Sequence, residues 1–295
     1  PAIVSMFLGD ELSAILDSIV EGKDYQGTAK EEMKVGVHIL PRFPKDTTDR
    51  NRTSPFAFTG NKFEFRMLGS NFSIAGPNMV LNTIVAEELS QFADVLEQAD
   101  DFESALNKLI KKTIKEHKRI IFNGNNYAEE WVKEAEKRGL LNLKTTVDAL
   151  PHYIEPKNIK LFTKHKIFTE SEMYSRYEIL LENYCKTLHI EGKTMLDMIK
   201  KDIIPAVTAY CKELSETALS KKSLCPQVSC VTEESMVTIL SELSAGVFEK
   251  TQKLEAALSH TEQISDIQAQ AESYRDEVIP AMEALRKDAD EIESL

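Results

Sequence analysis

Apolar residues recur three and four positions apart along most of this chain, a period that predicts helices. Ile3 to Val20 carries it through Phe7, Leu8, Leu12, Ile15, Leu16 and Ile19. From Pro77 it resumes through Val80, Leu81, Ile84, Val85, Leu89, Phe92 and Leu96, with proline suited to a first helical position. Ala105 to Ile121 sets Leu106, Leu109, Ile110 and Ile114 against a lysine face. After the turn Asn123-Gly124-Asn125-Asn126, Tyr127 to Arg138 reads as a helix closed by Gly139. Past residue 170 come four stripes: Met173 to Leu188, Leu196 to Leu214, Met236 to Leu258 and Ile264 to Leu285. Each is one apolar face on a charged helix, so an antiparallel bundle is expected. Thr232, followed by Glu233 and Glu234, reads as a capped start. Pro205 and Pro280 lie in the similar heptapeptides 204–210 and 279–285 and are expected to interrupt and kink two of these helices.

The first part of the chain is different. Seven of the eleven glycines fall in its first 76 residues, so turns and short strands are expected there: Val35 to Leu40 alternates around β-branched residues, and Asn61 to Leu68 alternates more cleanly. In the second stretch Phe63, Phe65 and Met67 face one way and Lys62, Glu64 and Arg66 the other, an apolar back and a charged front. Leu150 to Phe168, with Pro151 and Pro156, reads as an irregular connection.

A hydrophobic fraction of 42% over 295 residues is enough for a core, and no apolar run is long enough for a membrane helix. The formal charge of −12 argues against a reader of nucleic-acid phosphates. Four cysteines, none in a CxxC pair, point to a reducing compartment, and the cytoplasm is expected. Pro1 falls inside an apolar stretch, so the chain is expected to be a piece of something longer.

Chemistry concentrates between Arg50 and Arg66, where Arg50, Arg52, Lys62, Glu64 and Arg66 crowd together in an acidic chain. On a strand, alternate side chains stand roughly 7 Å apart on one face. A carboxylate between two cations there suits a divalent metal held beside a phosphate. A surface ladder of alternating charge has the same spacing and is the commoner arrangement.

The segment Asn51-Arg52-Thr53-Ser54-Pro55-Phe56-Ala57-Phe58-Thr59-Gly60-Asn61-Lys62-Phe63-Glu64-Phe65-Arg66 resembles the carboxyl-terminal active-site segment of type III glutamine synthetase. Pro1 to Gly9 resembles the stretch upstream of it, and the helical tail is similar to the family's carboxyl-terminal extension. The resemblance implies an α+β fold: residues 1–90 would complete a glutamine-synthetase-like catalytic domain, followed by a mainly α-helical extension over 91–295, with the bundle mainly in 170–295. It implies an ATP-dependent ligase that joins glutamate and ammonia through γ-glutamyl phosphate with Mg2+ or Mn2+, in a ring-forming homo-oligomer, a dodecamer by family pattern. By position, Glu64 would bind a metal, Arg66 would lie near glutamate and the transferred phosphate, Arg52 would stabilise the phosphoryl group, and Lys62 would contact the nucleotide. Commoner synthetases carry arginine at the Lys62 position and a second arginine where Ala57 stands. The other metal ligands would lie before Pro1, so the 295-residue chain alone is expected to be inactive. The competing reading is a helical scaffold or partner-binding module whose charged strand is purely structural.

Other groups suggest little chemistry. The six histidines show no metal-ligand spacing, and Cys225 and Cys230 read as loop cysteines. Lys108, Lys111, Lys112, Lys115, Lys118 and Arg119 read as a solvated helix face.

Overall fold

A computed structural model describes residues 3–25, 27, 32–33, 43–44, 54–67, 69 and 72–295. The chain divides into two compact units, one of residues 1–144 and 161–167, the other of 145–160 and 168–295. The boundary near residue 90 concerns which part would complete a catalytic domain; compactness is a separate property.

In the first unit, β1 (Met6–Phe7) pairs in parallel with β4 (Phe56–Phe58), which pairs antiparallel with β5 (Phe63–Phe65). β2 (Glu32–Met33) and β3 (Phe43–Pro44) form a separate antiparallel pair. The helices are α1 (Asp10–Glu21), α2 (Ala75–Leu96), α3 (Phe102–His117) and α4 (Glu129–Lys137). The expected helix from Ile3 is corrected at its start. Gly9 has φ +79°, which interrupts a right-handed helix, and Met6 instead accepts from Phe122 N–H at 3.0 Å and takes its place in the sheet. A short apolar run reads equally well as strand or helix, and the pairing partners lie far away in sequence. Gly22 ends α1 and Gly139 ends α4, both with positive φ. Asp101 caps α3 by accepting from Ser104 N–H. The expected strand 35–40 lies outside the described residues.

The second unit is built from three long helical rods. The first runs without a break through α7 (Glu170–Met198), a π turn (Ile199–Ile203) and α8 (Ile204–Leu224). The second is α9 (Val231–Glu262), and the third is α10 (Ile267–Ser273), a π turn (Tyr274–Val278) and α11 (Ile279–Glu293). Two of the four apolar stripes therefore share one rod. Leu181, Leu196, Ile199, Val247, Leu254, Leu258, Val278 and Leu285 close the seam, each 6% exposed or less. Each proline stands at the second position after its π turn, behind Ile204 or Ile279: proline has no N–H for the α-helical ladder, and the wider turn absorbs the missing bond. Thr232 is not the cap of α9; the helix begins at Val231, and Glu233 and Glu234 of its first turn pair with Lys221 and Lys222 across the hairpin.

The expected irregular connection from Leu150 to Phe168 is largely helical, as α5 (Thr146–Tyr153) and α6 (Pro156–Lys164). Thr145 caps α5 at 3.1 Å, and Pro156 stands at the first position of α6, where no N–H is needed. Pro151 would deprive the Val147 carbonyl of its helical donor, and Gln268 Nε2 supplies one at 3.4 Å. Among the described residues, no helix is long and apolar enough to cross a membrane.

Candidate functional site

The site candidate sits on a three-residue strand, so what holds that strand matters as much as what it carries. β4 and β5 turn at Gly60, where φ is +99°, and Thr59 N–H donates to the Lys62 carbonyl at 2.9 Å. Arg66 N–H donates to the Pro55 carbonyl at 2.8 Å and closes the far end. Behind β4, Asn126 donates from Nδ2 to the Ser54 hydroxyl at 2.9 Å and accepts from the Ser5 hydroxyl. All three residues are 2% exposed or less. Asn123 accepts from the backbone N–H of Leu8 and Gly9 at 3.0 and 3.1 Å and donates to Ser13. The turn 123–126 thus joins β1, the start of α1 and the entry to β4. A Cβ on Gly124 would fall 2.5 Å from the Phe122 ring, which is stacked on Trp131 at 4.1 Å between centroids and so is not free to move away.

Around β5 the three expected side chains come together, Glu64 on the strand and Lys62 and Arg66 just beyond its two ends. Arg66 donates to one Glu64 oxygen from Nη2 at 2.9 Å and from Nε at 3.2 Å, and Lys62 Nζ lies 3.3 Å from the other oxygen. The Arg66 hydrogen bond first, and then that of Lys62, hold the Glu64 carboxyl below the usual carboxylate range. Arg66 is mostly covered, at 16% side-chain exposure against 37% for Glu64. Arg50 and Arg52 lie outside the described residues. The phenylalanines alternate as expected, but their side of the strand is open: Phe63 is 46% and Phe65 36% exposed, with Phe63 stacked on Phe56 at 5.5 Å. The covered residue is Ala57, opposite Glu64 and fully buried. Sequence reading missed Ser5, Ser54, Asn123 and Asn126. The asparagine-rich turn was visible, but its partners lie 72 to 121 residues away from it.

Residues 105–222 match the glutamine synthetase C-terminal domain. A glutamine synthetase of Butyrivibrio fibrisolvens is 43% identical over all of this chain and 42% of its own length. The chain is a relative of the glutamine synthetases. A type-3 glutamine synthetase of Dictyostelium discoideum is 39% identical over all of this chain and 41% of its own, and a glutamine synthetase of Bacteroides fragilis is 32% identical over 99% and 42%. The chain spans about two fifths of the length of these curated synthetases.

The donor set bears on whether a divalent ion fits. Among the described residues, no three His, Cys, Asp or Glu side chains gather as a metal-binding group. Glu64 by itself fits as one ligand: its carboxyl is held below the usual range and is partly exposed, and among the described residues the exposed Lys62 ammonium is the ion-pair partner of one of its oxygens. Magnesium characteristically takes one or two protein carboxylates and completes its shell with water and phosphate.

Proposed function

We propose that this chain forms one wall of the active site of a glutamate–ammonia ligase that uses ATP and proceeds through γ-glutamyl phosphate. The observation that carries this is the Lys62–Glu64–Arg66 triplet, held on a short strand within the segment that resembles the synthetase site. In this reading Glu64 is a ligand to Mg2+ or Mn2+, which supplies charge neutralisation at the phosphate oxygens when bound. Arg66 presents a planar guanidinium toward the phosphate, its orientation fixed by the carboxylate beside it. Lys62, the most exposed of the three at 65%, is free to swing toward the nucleotide. Arg52 stabilises the transferred phosphoryl group. Catalysis of this kind rests on positioning and charge rather than on a covalent intermediate with the protein. The active assembly is a cytoplasmic homo-oligomer, and the 295-residue chain alone is inactive because one carboxylate does not build a two-metal site.

The test is Glu64→Gln in the full-length enzyme. It keeps shape and removes the negative charge, so turnover should fall by roughly a hundred- to a thousand-fold and the metal requirement should rise, with folding intact. Near-normal turnover and metal demand would return the triplet to a structural charge ladder, which solvent and salt screen. Hydroxamate formation by the pure 295-residue chain would refute its assignment as an incomplete site.

A further inference from the structure

Two clefts of about 560 and 370 Å³ run end to end beside the first rod and α11, sharing Ile203 and Glu293. Their lining on the first rod extends from Ile190 to Tyr210, about 30 Å at the rise of an α-helix. The floor is apolar, with three adaptable methionines, Met195, Met198 and Met282, beside the stiffer Ile199, Ile203 and Tyr210. Met198 is 53% and Tyr210 41% exposed, so the three rods leave this floor uncovered. Methionine is over-used at surfaces that receive apolar helix faces, because its unbranched thioether repacks at little cost.

The rim is mainly acidic. Glu191, Asp202, Asp290 and Glu293 stand on it, against a single cation, Arg286, which already pairs with Asp290 at 3.3 Å. Glu191, Asp202 and Glu293 have no ion-pair partner among the described residues. A greasy trough whose edges carry more carboxylates than cations is complementary to a helix with one apolar face and lysine or arginine flanking it. An acidic helix would bring like charges together, and a wholly apolar one would leave the rim unmatched. We infer that this groove is a docking site for a basic amphipathic helix of a partner protein.

The experiment uses the full chain and two designed 18-residue probes, a Leu/Lys amphipathic helix and its Leu/Glu counterpart. Binding is followed by fluorescence anisotropy and by 13C-methyl NMR of the methionines. The Leu/Lys helix should bind and shift Met195, Met198 and Met282 first, and the Leu/Glu helix should not bind. Asp202→Lys with Glu293→Lys should weaken binding at least tenfold. Glu213→Lys with Glu242→Lys, exposed residues that do not line the clefts and that carry the same charge change, should leave it nearly unaltered. Equal weakening by both pairs, absence of binding, or shifts confined to other methionines would overturn the docking site. Self-association of the free chain that Asp202→Lys with Glu293→Lys abolishes would assign the groove to a second copy and overturn the partner.

Discussion

In the first unit the residues sealed from water include Ser5, Ser54 and Asn126 beside Ala57, Trp131 and Ala135, whereas in the second the seal is mainly leucine, valine and isoleucine along three rods. The polar seal depends on individual bonds between residues far apart in sequence, and losing one strands its partners. The apolar seal is distributed and periodic, and each residue in it contributes by volume filled. One unit is specified by particular contacts and the other by repetition.

The largest effect should come from the apolar seam. Leu254→Ala empties a fully buried position on α9 and should cost about 2–5 kcal/mol, read as a lower denaturant midpoint with little change in slope. A cost below 1 kcal/mol would mean that the rods slide to fill the gap and that packing does not specify them. Next is Asn126→Ala, which removes a partner from both buried hydroxyls and should cost about 1–3 kcal/mol. Hydrogen exchange should place that loss in 3–9 and 54–67, leaving the rods protected; uniform loss over both units would erase the contrast.

A smaller effect is expected at the entrance to α7, where Thr169 and Glu172 form a reciprocal cap. Thr169→Ala should cost about 1 kcal/mol by thermal denaturation, mostly as fraying of the first turn. The smallest concerns Glu87, on α2, which is bonded to Lys164, His165 and Gln91. Those bonds, that of Lys164 foremost, hold its carboxyl down at about 2. A carboxyl depressed in the folded state stabilises above its unfolded value near 4.3 and loses that contribution as pH falls toward about 2. Exchange at 161–167 should therefore rise across that acid window in the native chain and be flat in Glu87→Gln.

Legibility in the sequence follows the same divide. The stripes of the second unit were readable because a helix returns to its buried face every three or four residues, whatever its neighbours are. That two stripes share one rod was not readable, since a proline signals an interruption without saying whether the helix turns back or widens. In the candidate site the triplet Lys62, Glu64 and Arg66 was legible from alternation on a strand. The openness of Phe63 and Phe65 was not, because period 2 separates two faces without saying which is covered. Asn126 was least legible: an asparagine in a turn has many local partners, and nothing nearby points to Ser5 or Ser54.

The paired π turns have a consequence for the whole rod. A π turn places one extra residue in the helix, and one residue is about 100° of rotation. Each acts as a phase shifter: α7 can aim its stripe at α5 and α10, while α8, continuing the same backbone, aims its own at α9. The prolines at 205 and 280 anchor where the shift settles, because the ladder is already open there. Deleting one residue between 199 and 203 would therefore leave little local damage and instead rotate everything from Ile204 to Leu224 away from α9.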